Sequence, residues 1–80
     1  MKLKNLIPGK CYKATCKYDT RNGWWVHEFG NKSDKFQAKY FYGTPFIFLQ
    51  FQNYYQIKIF YCGKIFLCEF DAAIFEFEEL

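Results

Sequence analysis

A single histidine and a single arginine are all that the 80 residues supply of two side chains widely used for proton transfer and bidentate phosphate binding. With only His27 present, any nucleophile and base pair must join that imidazole to one of the four cysteines. No Asp or Asn stands in a legible motif to orient it, and a lone histidine between Trp25 and Phe29 suits a half-buried packing position. Glycine-rich phosphate loops and clusters of metal-binding aspartates are missing too. Zinc knuckles hold two ligands about two to four residues apart on a tight turn, whereas Cys11 and Cys16 lie along a strand and Cys62 and Cys68 at a turn and in a core. Cys11 and Cys16 fall on opposite sides of one strand. Free thiols in a reducing compartment are therefore expected, with Cys16 and Cys68 as small core residues. Glu76, Glu78 and Glu79 read as the solvated side of a terminal element, since a paired-carboxylate site needs a cleft that so short a chain hardly builds. No enzyme, metal, cofactor or small-molecule substrate is expected.

Long apolar runs are also missing. Nothing approaches the roughly 18 residues of a membrane helix, and the lysine-flanked start has no apolar stretch long enough for a signal peptide. A soluble, cytoplasmic protein without membrane association is the expectation.

What the sequence has in abundance is aromatic side chains: 11 Phe, 7 Tyr and 2 Trp. Each can bury about 150–250 Å², which offsets the marginal core of one small domain spanning residues 1–80. Ten lysines stand against one arginine. Both serve as surface cations, so the imbalance, with the excess of Phe, Tyr, Ile and Asn, reflects AT-rich coding. A bacteriophage or a low-GC bacterium is the expected source.

The stretch from Thr44 to Phe70 organises the fold. Phe46 to Phe51, Gln56 to Tyr61 and Lys64 to Phe70 are runs rich in aromatic and β-branched residues, separated by turn formers, as in an antiparallel meander. A two-residue Cys62-Gly63 loop sets Ile59 opposite Phe66, Ile57 opposite Cys68 and Tyr55 opposite Phe70. Those residues, with Phe46 and Phe48, form the expected core. Alternation assigns Ile47, Leu49 and Phe51 to the other face, with Phe60, Ile65 and Leu67. Upstream, Cys11 to Tyr18, Trp24 to Phe29 and Phe36 to Tyr42 alternate as strands. Asp71-Ala72-Ala73 suits a helical turn capped by Asp71. The tail from Ile74 to Leu80 is a strand with Phe75 and Phe77 inward, or else a short helix built on Ile74, Phe77 and Leu80.

These elements define an all-β fold, a small, strongly bent antiparallel barrel of five to seven short strands with a one-turn helix near the C-terminus. The lead Leu6-Ile7-Pro8-Gly9-Lys10-Cys11-Tyr12, the long polar loop and Asp71-Ala72-Ala73 before the last strand give the chain a form that resembles the small SH3-like barrels. An OB-like barrel is the alternative. The tyrosine cluster that binds proline-rich ligands is missing, so the resemblance implies fold and not function.

Two functions remain open. Surplus apolar residues on both faces of the meander imply a protein-binding module, in the manner of a phage accessory factor docking on a host or virion protein, or self-association, through Ile47, Leu49, Phe51, Phe60, Ile65 and Leu67. Alternatively, residues 1–40 carry a net charge of +6 and residues 41–80 one of −3. Cations and aromatics at Lys13, Lys17, Arg21, Trp24, Trp25, Lys35 and Lys39 then suggest a nucleic-acid-binding barrel.

Overall fold

A computed structural model describes residues 2–18, 22–30, 37–53, 56–69 and 75–80. Seven antiparallel strands form one sheet: β1 (Cys11–Cys16), β2 (Gly23–Glu28), β3 (Gln37–Phe41), β4 (Phe46–Phe51), β5 (Gln56–Tyr61), β6 (Lys64–Glu69) and β7 (Phe75–Glu79). Their spatial order is β3-β2-β6-β5-β4-β1-β7, curled into a half-barrel. A 3₁₀ turn (Leu3–Asn5) precedes β1 and is the only helical element among the described residues. The helical turn expected at Asp71-Ala72-Ala73 lies outside the described residues, as do Tyr55, Phe70 and Ile74. The tail is a strand, with Phe77 buried and Phe75 half-buried against the core.

Alternation decides what the curl encloses. Tyr12, Ala14, Val26, Tyr40, Phe46, Phe48, Ile57, Ile59, Tyr61, Phe66, Cys68 and Phe77 form one buried cluster. Each large apolar side chain fully buried there contributes about 1.5–3 kcal/mol. In the β5–β6 hairpin Ile57 faces Cys68 and Ile59 faces Phe66, the expected register. Its turn has both central residues at positive φ, Cys62 at 51° and Gly63 at 76°, the type I′ geometry whose twist matches the strands. The lead joins the core, with Leu3 and Leu6 buried, rather than covering the outer face.

Two irregularities shape the sheet. The β4–β5 register runs Phe48 to Ile59 and then Gln50 to Lys58, so Leu49 sits in a bulge. The extra residue exchanges the faces beyond it. Phe51 pairs with Ile57 and its ring lies 4.8 Å from that of Phe48. Phe51 therefore shares the inner face, contrary to strict alternation.

The second irregularity lies on β1, which pairs with β7 from Tyr12 to Cys16 but with β4 only at Cys11 and Tyr12. Beyond Tyr12 the edge that leaves β4 is met by the end of β3. Ala14 N–H donates to the Tyr40 hydroxyl at 2.9 Å, and Gly43 N–H donates to the Ala14 carbonyl at 3.1 Å. The Tyr40 hydroxyl in turn donates to the Thr44 carbonyl at 2.6 Å. A phenol thus does the work of a strand where the half-barrel folds back on itself.

Candidate functional site

The outer face carries one row of uncharged, mostly apolar side chains across six strands. Cys11 pairs with Ile47, Ile47 with Phe60, and Phe60 with Ile65. Backbone hydrogen bonds extend the row at each end, Phe29 N–H to the Ile65 carbonyl at 2.9 Å and Leu80 N–H to the Cys11 carbonyl at 3.0 Å. Five steps of about 4.8 Å make the row about 24 Å long. Ile47 is 37% exposed, Phe29, Phe60 and Ile65 are each 42% exposed, and Leu80 is 58% exposed. Lys58 Nζ lies 3.7 Å from the centroid of the Phe29 ring, a cation–π contact at one end of the row. One ion pair on the same face lies beside it, Lys13 to Glu78 at 3.5 Å; the pairs Lys10 to Glu79 at 3.0 Å and Lys64 to Glu28 at 3.8 Å belong to the other face, Glu79 standing opposite Tyr12 and Glu28 opposite Phe66.

Of the six residues assigned to an apolar face by sequence, Ile47, Phe60 and Ile65 lie in this row. Leu67 is half-buried one pair further along, beside Lys58 and His27. Leu49 is the half-buried bulge residue, and Phe51 belongs to the other face for the reason given above. Phe29, Cys11 and Leu80 escaped sequence reasoning. Alternation places Phe29 on one face with His27 and Trp25 without saying which face is outward, and nothing local says that β2 docks on β6 or β7 on β1.

The basic set is dispersed. Arg21 and Lys35 lie outside the described residues. Trp24 packs against the core, its ring 4.7 Å from Tyr40, 5.1 Å from Tyr42 and 4.6 Å from Phe75, so it is no stacking platform. Lys13 is held by Glu78, whereas exposed Lys17 lies 5.8 Å from the centroid of the exposed Tyr18 ring. Trp25 and Lys39 face each other across β2 and β3 on the outer side.

The thiols and the imidazole do not converge. Cys68 is buried in the core, and Leu67, not Cys68, lies opposite outward-facing His27. Cys62 is exposed at its turn, while Cys11 and Cys16 are half-buried on β1, so Cys16 is less enclosed than expected. A shallow depression on β1 and β7 is lined by Lys13, Thr15, Glu76, Phe77 and Glu78, with the Lys13–Glu78 ion pair in its wall. Among the described residues no helix is long and apolar enough to cross a membrane. Known proteins offer no guide: no family model, curated protein or solved structure matches the chain.

Proposed function

We propose that this chain is a non-enzymatic protein-binding module, a phage-encoded accessory factor that docks on and modulates a host or virion protein in the host cytoplasm. The observation that carries this is the uninterrupted apolar row from Phe29 to Leu80. Taking about 150–250 Å² for a fully exposed large side chain, its five exposed side chains present roughly 330–550 Å² of contiguous apolar surface. That falls within the about 300–600 Å² of the largest patch on a typical monomer, where such patches are often functional. It is about half of the roughly 800 Å² that each side of a standard interface buries. The row supplies the apolar centre, and Lys58 at one end with the Lys13–Glu78 ion pair at the other supplies polar groups at its border. We further propose a lineage among the small SH3-like barrels, supported by the Pro8-Gly9 lead into β1 and the meander of β4, β5 and β6.

The experiment is capture of partners from host lysate by the wild type, a Phe60→Lys variant and a Lys17→Glu variant. Loss of a discrete captured protein with Phe60→Lys alone, persisting at high salt, supports the proposal. Capture that survives Phe60→Lys, or that vanishes with salt in every variant, sinks it, because an apolar interface is insensitive to ionic strength while phosphate binding is not. The alternative, a nucleic-acid-binding barrel using the basic half, retains Lys17, Trp25 and Lys39 as its accessible described residues.

A further inference from the structure

We infer that the outer face of the β2–β3 pair holds a separate recess that sandwiches one base of a single-stranded nucleic acid between Trp25 and Phe41, with Lys39 toward its phosphate. Gly23 lies opposite Phe41 and Trp25 opposite Lys39, so four positions form a square with one corner empty of side chain. Trp25 is 61% exposed and Phe41 is 50% exposed. Two large rings left this open on adjacent strands are unusual unless something covers them.

The dimensions select a flat ligand. Trp25 and Phe41 are diagonal neighbours, a relation that separates residues on paired strands by about 7–8 Å. Contact distances of about 3.5–4.0 Å on each side of a planar ring also require about 7–8 Å between the flanking rings. No side chain stands at the Gly23 corner, where a Cβ would sit 1.6 Å from the Tyr40 carbonyl oxygen, so backbone and not a third side chain floors the gap between the two rings.

Charge selects an anionic ligand. Lys39 Nζ lies 6.0 Å from the Phe41 centroid. The only carboxylate on β2 or β3, Glu28, lies on the opposite face and pairs with Lys64 at 3.8 Å. Lys17 and Tyr18, both exposed, follow directly on β1, whose Ala14 carbonyl accepts the Gly43 N–H just beyond β3 at 3.1 Å. Rings alternating with cations suit a strand of stacked bases and phosphates, and each base stacked on an aromatic ring strengthens binding by about five- to 150-fold.

The test uses the full chain with a ten-residue oligothymidylate, thymidine monophosphate and heparin. The oligonucleotide should quench the emission of exposed Trp25. Anisotropy of a labelled oligonucleotide should show affinity falling at least about fivefold in Trp25→Leu and in Phe41→Leu, which keep apolar bulk while removing a ring. Lys39→Glu should also weaken it and flatten its salt dependence. Far-UV circular dichroism establishes that each variant is folded. Equal affinity for thymidine monophosphate would assign the recess to a free nucleotide and overturn the polymer. Equal binding of heparin, unchanged affinity in Phe41→Leu, or no quenching at all would overturn base stacking altogether.

Discussion

Replacing Tyr40 by Phe removes one oxygen and tests how the half-barrel is closed. The side chain is fully buried, so the apolar burial of the ring is retained and only the hydroxyl is lost. That hydroxyl accepts from Ala14 N–H at 2.9 Å in a buried position and donates to the Thr44 carbonyl at 2.6 Å. A buried N–H left without an acceptor costs about 1–3 kcal/mol. The Thr44 carbonyl is only part-buried, and water can replace its partner. The expected loss is therefore about 2 kcal/mol, out of a total of roughly 4–12 kcal/mol for a domain of this size. In thermal unfolding this is a fall in Tm of about 8–16 °C. Urea unfolding should show a lower midpoint at unchanged slope. Amide exchange localises the effect: Ala14 and Gly43, at the seam, should exchange faster, while Lys13 and Thr15 on the β7 side change little. Tyr12→Phe is the control, because its hydroxyl accepts the Ile7 N–H at 2.8 Å in a part-buried position and should cost less, about 1 kcal/mol. A loss below about 0.5 kcal/mol in Tyr40→Phe, or uniform acceleration of exchange along β1, would refute the seam.

Burial pushes the Tyr40 hydroxyl above its ordinary 10.0 and the Cys68 thiol above its ordinary 9.0. Both folded values are raised, so their contribution is complete below about pH 9 and is lost as pH rises past the unfolded values, at up to about 1.4 kcal/mol per pH unit per group. Urea titrations from pH 7 to 11 should show this decline, and Tyr40→Phe should make it shallower. Gly23→Ala drives a Cβ against the Tyr40 carbonyl oxygen and should part β2 from β3, costing about 2–4 kcal/mol by thermal unfolding. Cys62→Asn should stabilise by about 1 kcal/mol, since Asn accepts the left-handed conformation that Cys62 holds at φ 51°; an unchanged or lower urea midpoint would count against the strained turn.

The local half of this fold was legible in the sequence. Two residues between two apolar runs fixed the hairpin register, and alternation placed Ile57, Ile59, Phe66, Cys68, Phe46 and Phe48 inside. Alternation alone left open which tryptophan is inside. Pairing answers it, because Trp24 faces Tyr40 within the core while Trp25 faces Lys39 outside. The bulge at Leu49 was not legible, since no glycine marks it, although Gln50 between Leu49 and Phe51 is the polar residue that ends up beside Lys58. The order of the strands was out of reach. Pairings of β1 with β4 and β7, and of β2 with β6, join segments far apart in the chain, and no local propensity encodes them. The apolar row depends on that order, which is why only half of its members were found.

The outer row as a partner surface is tested most directly by placing a photoreactive benzoylphenylalanine at Phe60, at Ile65 and, as a control off the row, at Thr15, in cells that naturally carry the protein. Irradiation should yield one discrete cross-linked product from Phe60 and Ile65 and none from Thr15. Cross-linking that is equal at all three positions, or missing from both row positions while the variants remain folded, would contradict the account.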